Sequence, residues 1–90
     1  MNIFRKAEIR RYAKERDRVF TDAVLNDNWF RVREFAEKHK IPLPDREETM
    51  QAGIYKAVQV CTRIPDDVKA TARRKCIALG FKPEMWGVHD

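Results

Sequence analysis

Apolar residues recur along most of this chain at intervals of three, four and seven, the spacing that places side chains on one face of an α-helix. The pattern is clearest in the first segment, residues 3 to about 25, and it returns in three shorter segments. Strong helix breakers separate these segments: Asn26-Asp27-Asn28, Ile41-Pro42-Leu43-Pro44 and Pro65. The spacing therefore predicts four helices joined by short connections.

Composition limits how these helices can be arranged. Ninety residues, of which 43% are hydrophobic, are enough for one domain with one modest core. Only 3 Gly and 4 Pro disfavour a turn-rich all-β fold. Because short connections place consecutive helices antiparallel, we predict an all-α fold: four helices arranged as two antiparallel helical hairpins in a small bundle. The helical domain is expected over residues 1–82, and a short C-terminal tail over residues 83–90.

Capping residues predict where the later helices begin and end. The second helix is expected over about residues 29–40. Asp45, followed three residues later by Glu48, indicates a capping box at the start of the third helix, which Pro65 ends. Gly80 is placed to take the left-handed conformation after the fourth helix.

The two cysteines, Cys61 and Cys76, fall at apolar positions of predicted helices. The N-terminus shows no secretory signal pattern, and no run approaches the roughly 18 apolar residues of a membrane-spanning helix. We therefore expect two reduced, buried thiols in a cytoplasmic protein without a membrane partner. The alternative is a disulfide between two antiparallel helices.

Catalytic and metal-binding patterns are missing from the sequence. The candidate metal ligands are His39, His89, Cys61 and Cys76, whereas paired zinc ligands are normally two to five residues apart and no two of these lie that close. The chain has no serine, and both cysteines are assigned to the core. We expect no catalytic residue, metal, cofactor or small-molecule substrate, and no enzymatic activity.

The net charge of +5 is concentrated in the first helix, and a second basic cluster lies in the last. Lys and Arg along one face suit a nucleic acid, because they release its counterions. The alternative is a solvated surface in which Glu8 pairs with Arg11, and Glu15 with Arg11 or Arg18. The candidate anion- or nucleic-acid-binding residues are Arg10, Arg11, Lys14, Lys69, Arg73, Arg74 and Lys75.

Two aromatic sites are candidates for binding a protein partner. Trp29 and Phe30 are adjacent, so they cannot both face the core of a helical bundle. Met85 and Trp86, in the tail, either fold back on the bundle or remain exposed. An exposed aromatic pair is where a protein interface or self-association would begin.

These observations predict a non-catalytic helical protein-interaction module, with a protein partner or a second copy of the chain bound at the aromatic sites. The alternative function is non-sequence-specific nucleic-acid binding by basic surfaces on the first and last helices. In size, charge and helical-hairpin layout the chain resembles small proteins of phages and other mobile elements, without a motif that identifies a family.

Overall fold

The computed structural model describes residues 3–81, with side chains from residue 5 onward. This part of the chain is helical without strands, and the predicted all-α class is confirmed. The neighbouring pairs α1–α2 and α3–α4 pack against each other, as expected for two helical hairpins. The four helices are α1 (Ile3–Asn26), α2 (Trp29–Lys38), α3 (Glu47–Val60) and α4 (Asp66–Ala78).

Helix α1 organises the bundle, because it packs against each of the other three helices. Its 24 residues extend about 36 Å and account for most of the 42 Å long axis of the molecule. Its C-terminal half carries the buried residues Val19, Ala23 and Val24. The helical spacing of apolar residues in the first segment predicts that Ile9 lies on the same apolar face, but Ile9 is 53% exposed. That prediction was wrong because α2 ends opposite Glu15, so that among residues 3–81 no helix covers the first turns of α1.

The core is filled by aliphatic and aromatic side chains from all four helices. Trp29 packs edge-on against Tyr55, with ring centroids 5.5 Å apart, and Phe35 lies 5.4 Å from Tyr12. Several smaller residues are almost completely enclosed, which leaves little freedom for one helix to shift against another. The largest of these enclosed side chains are Val24, Val32, Val58 and Cys76.

Helix α4 ends in a Schellman motif, in which two backbone N–H groups return to the last turn. The N–H of Phe81 donates to the carbonyl of Cys76 at 3.3 Å, and that of Gly80 donates to Ile77 at 2.9 Å. Gly80 has φ +95°, in the left-handed region. The predicted role of Gly80 is confirmed.

Helix α2 ends in the same way but with a lysine at the left-handed position. The N–H of Ile41 donates to the carbonyl of Ala36 at 2.8 Å, and that of Lys40 donates to Glu37 at 3.3 Å. Lys40 has φ 54°, a conformation in which a Cβ atom crowds the following carbonyl oxygen. The helix therefore stops at Lys38, two residues before the predicted end.

The boundaries of α3 differ from the prediction at both ends. The helix begins at Glu47, and the N-cap residue Arg46 makes no side-chain capping bond, so the Asp45–Glu48 capping box is not formed. Arg46 has extended backbone, with φ −80° and ψ 127°, so Glu47 is the first helical residue. At the other end, α3 stops at Val60, and the following turn carries Ile64 into the core.

The two cysteines have different environments, and both are free thiols. Cys76 is fully enclosed, and this burial raises its pKa to about 11. Cys61 follows the end of α3 and is only partly buried, with its Sγ 3.8 Å from the Asp17 carboxylate. The expectation of two buried thiols is correct for Cys76 and wrong for Cys61, because α3 ends before it.

We predict that Lys40→Gly stabilises the protein, because glycine adopts a left-handed φ without crowding by a Cβ atom. The free energy of unfolding should rise by about 0.5–1 kcal/mol in urea denaturation, and Gly80→Ala should lower it by about 1 kcal/mol. Lys40→Ala is the control, since it removes the exposed charge but keeps the Cβ atom. Equal stability of the Gly and Ala variants at position 40 would contradict the prediction.

We also predict that the two thiols react at very different rates with a water-soluble disulfide reagent at neutral pH. Cys61 should react in the native protein, whereas Cys76 should react only after unfolding, because it is enclosed and its pKa is raised. The measurement is the number of thiols modified with and without denaturant, and Cys61→Ala is the control. Rapid modification of Cys76 in the native Cys61→Ala variant would show that the core opens easily.

Candidate functional site

A basic groove runs between α1 and α2 and encloses about 760 Å³. Its floor includes the apolar side chains of Val19 and Phe35. Charged residues form the walls, and the cations outnumber the carboxylates of Glu15 and Glu34. The cations of this α1–α2 groove are Arg11, Lys14 and Arg18 from α1, with Arg31 and Lys38 from α2.

Salt bridges across the groove fix the register of the two helices. The Glu15 carboxylate of α1 lies 3.1 Å from Lys38 Nζ and 3.3 Å from His39 Nε2, at the end of α2. Near the opposite end, Asp22 lies 3.2 Å from Arg31. The two helices are therefore antiparallel along the groove, and both cations of its α2 wall are neutralised by carboxylates of α1.

The three cations of the α1 wall differ from those of the α2 wall in their ion pairing. Arg11, Lys14 and Arg18 are exposed and form no ion pair with any other residue in the described part of the chain. The alternative pairs of Glu15 with Arg11 or Arg18 are not formed, because Glu15 reaches across to α2 instead. No Glu8–Arg11 pair is present in the described residues either. Hydrogen bonds from Lys38 and His39 hold the pKa of the Glu15 carboxyl below its ordinary value, so it stays ionised at neutral pH. The α1 wall consequently presents uncompensated positive charge.

Two further carboxylates of α1 also bind other segments. Asp17 accepts a 2.8 Å hydrogen bond from Arg63 in the α3–α4 connection, and this bond lowers the pKa of its carboxyl. Asp22 accepts hydrogen bonds from Asn26 and Asn28, both at 2.7 Å, and these likewise lower its pKa. Asp22 thus holds the α1–α2 turn, while Asp17 holds the second hairpin against α1.

The basic residues predicted on α4 do not form one surface. Lys75 is half-buried, and its Nζ donates to the Val24 carbonyl at 2.6 Å and lies 3.3 Å from the Asp27 carboxylate. It therefore caps the C-terminal end of α1. Lys69 is six positions earlier, so it lies about 120° around the helix from Lys75, on the face that it shares with Arg73 four residues on. Arg73 is half-buried and Arg74 is exposed.

Of the adjacent aromatic residues Trp29 and Phe30, which were predicted to bind a partner, only Phe30 is exposed. Trp29 is only 9% exposed, because it packs into the core against Tyr55. It is not available to a partner in this fold, which corrects the prediction. Phe30 is 70% exposed, and it lies one helical turn before Glu34, which lines the α1–α2 groove. Met85 and Trp86 lie outside the described residues.

Five charged groove residues were not singled out as binding candidates from the sequence: Glu15, Arg18, Arg31, Glu34 and Lys38. The signal was present in the spacing of the last three at intervals of three, four and seven, which places them on one face of α2. Arg10, by contrast, was predicted as a binding residue and is exposed on α1, one position away from the groove-lining Arg11.

Residues 3–81 also lack the features of two other kinds of site. No group of three or more His, Cys, Asp or Glu side chains there is arranged to hold a metal ion. Within the same range, no helix combines the length and the apolar character needed to cross a membrane.

Comparison with known proteins assigns no family to the chain: no protein-family model, curated protein or solved structure matches it.

Proposed function

We propose that this chain is a non-catalytic binding protein whose α1–α2 groove holds the phosphate backbone of a nucleic acid without reading its base sequence. One observation carries the proposal: Arg11, Lys14 and Arg18 line one wall of a groove and have no ion-pair partner in the described chain. Lys and Arg side chains that approach phosphates release condensed counterions, which favours binding.

The spacing of these cations suits a polymer of phosphates. Arg11 and Arg18 are seven residues apart, so they are separated by about 10.5 Å along the helix axis, with Lys14 between them. That length corresponds to about three nucleotides of a stacked strand at 3.4 Å each. Phosphate contacts fix the position of a nucleic acid but carry no sequence information, which supports binding without base-sequence specificity.

Protein interaction, including self-association, is the second candidate function. It is supported by Phe30, because a 70% exposed phenylalanine is a suitable anchor for a protein interface. We place it second because Trp29, its expected companion, is buried. Either function is compatible with the expected cytoplasmic location, where free thiols such as Cys61 remain reduced.

We predict that replacing the three α1 cations, in the triple variant Arg11→Gln/Lys14→Gln/Arg18→Gln, strongly weakens nucleic-acid binding. The measurement is the anisotropy of a labelled oligonucleotide at several salt concentrations between about 50 and 200 mM. The slope of log K against log salt should become shallower by about 2, because each lost phosphate contact on a single strand contributes about 0.7.

A matched control is Lys56→Gln/Lys69→Gln/Arg74→Gln, which removes the same charge from α3 and α4, away from the groove. It should leave the slope nearly unchanged. If both triple variants weaken binding equally, net charge explains the binding and the groove does not. If the wild-type protein shows no binding at the lower salt concentration, the proposal is wrong.

We further predict that Glu15→Gln strengthens nucleic-acid binding while it destabilises the fold. The substitution removes the negative charge that neutralises Lys38, which makes one more cation available to a phosphate. The salt slope should steepen by about 0.7, and the thermal midpoint should fall because the charged contact between α1 and α2 is lost. Glu48→Gln is the control, since it makes the same charge change at an exposed pair with Arg46. Weaker binding by the Glu15→Gln variant would contradict the groove assignment.

A further inference from the structure

We infer that the α1–α2 groove takes single-stranded nucleic acid, with its phosphates on the α1 wall and a base stacked on the exposed ring of Phe30. This inference rests on the proposed function and specifies its ligand. It joins two features that the sequence presented as alternatives: the basic side chains of α1 and the exposed aromatic residue of α2.

The two walls of the groove differ in charge. The α1 wall carries Arg11, Lys14 and Arg18, which have no ion-pair partner in residues 3–81. On the α2 wall, Arg31 and Lys38 are already neutralised by carboxylates of α1, and Glu34 adds a negative charge. A phosphate chain is therefore attracted to the α1 wall and repelled from the α2 wall.

A single strand matches this asymmetry because it has one phosphate side and one base side. With its backbone on the α1 wall, its bases point toward α2. A carboxylate there accepts hydrogen bonds from the N–H groups that every base carries, such as the amino group of cytosine or the N3–H of thymine, so Glu34 opposes phosphates without opposing bases. A duplex presents a phosphate strand on both sides of its base pairs, and the second strand would approach Glu34.

Phe30 is placed where such a base would emerge from the groove. It lies four residues before Glu34, so the two Cβ atoms are about 5–6 Å apart on the surface of α2. Trp29, Val32 and Phe35 of the same helix are buried in the core, whereas Phe30 is 70% exposed. Phe30 does not line the groove itself; it lies at the outer edge of the α2 wall, beside the groove-lining Glu34. An unstacked base packs its face on such a ring, and alanine replacement of a stacking residue typically weakens binding between about fivefold and a hundredfold.

The same observations disfavour other occupants of the groove. Val19 and Phe35 are its apolar lining residues, and charged side chains make up the rest. An apolar peptide helix would therefore bury charge on both walls. A second copy of the chain, also carrying +5, would be repelled. An acidic peptide would satisfy the cations of α1 but would gain less from an exposed aromatic ring than a base does.

The test is a titration of labelled oligothymidine of about 15 nucleotides, a duplex of equal length, and an abasic strand of equal length. The proteins are the wild type, Phe30→Ala, Phe30→Leu and Val60→Ala. Phe30→Leu keeps an apolar side chain but removes the ring, and Val60→Ala is the matched control, since Val60 is 60% exposed on α3. Circular dichroism checks that each variant is folded.

We expect the wild type to bind oligothymidine at least fivefold more tightly than the duplex or the abasic strand. A fivefold difference in affinity is about the smallest effect that one stacked base contributes. Phe30→Ala and Phe30→Leu should bind oligothymidine no more tightly than the abasic strand, while the duplex remains disfavoured because Glu34 is still present. Val60→Ala should behave as the wild type. A poly-glutamate of equal charge tests the acidic-peptide alternative and should bind no better than the abasic strand.

The possible failures separate the two proposals. If the wild type binds duplex or poly-glutamate as tightly as oligothymidine, or if Phe30→Ala binds oligothymidine normally, the stacking inference is wrong. The proposed function then stands as long as the triple variant of Arg11, Lys14 and Arg18 loses binding. If the wild type binds none of the nucleic acids, both proposals are wrong.

Discussion

Three carboxylates on α1 form ion pairs or hydrogen bonds with other segments of the molecule. Glu15 binds Lys38 and His39 at the end of α2, Asp17 binds Arg63 between α3 and α4, and Asp22 binds the α1–α2 turn. Each contact fixes α1 against a different part of the bundle. Hydrophobic burial supplies most of the stability of such a fold, but these contacts set the register in which the apolar faces meet.

The same contacts determine the charge of the surface. Glu15 pairs with Lys38 and His39 at the end of α2 and not with Arg11 or Arg18 of its own helix. Arg11, Lys14 and Arg18 therefore have no ion-pair partner among residues 3–81 along the groove between α1 and α2. Lys75 on the last helix behaves in the opposite way. It donates a hydrogen bond to the end of α1, so its charge contributes to the fold and not to a binding surface. In this account, cross-helix pairing explains both the rigid arrangement of the first hairpin and the binding surface on it.

Sequence periodicity was sufficient to predict the helices, because their apolar faces repeat at helical intervals and their breaks contain Asn, Pro or Gly. The end of α4 at Gly80 was predictable for the same local reason. The end of α2 was not, since Lys40 adopts a left-handed conformation that its residue type disfavours. The surrounding structure, with Ile41 drawn toward the core, overrides the local preference.

The site was less predictable than the fold because it depends on tertiary partners. Residue spacing shows which cations Glu15 can reach within α1, but it does not show that Lys38 of α2 lies closer. It also indicates that Trp29 and Phe30 face different ways without deciding which one is buried. The packing of Trp29 against Tyr55, a residue of α3, decides this. To predict the partner of Glu15 and the burial of Trp29, one must know how the helices are aligned against each other. The residue pattern of a single helix does not give this alignment.

The most direct test of the central claim is an NMR titration of the isotope-labelled protein with a short single-stranded oligonucleotide. The account predicts that the largest changes in backbone amide signals map to residues 11–18 of α1 and 30–38 of α2. Signals of residues 69–75 on α4 should change little. The account would be contradicted if the largest changes appeared on α4, or if no signal changed at low salt.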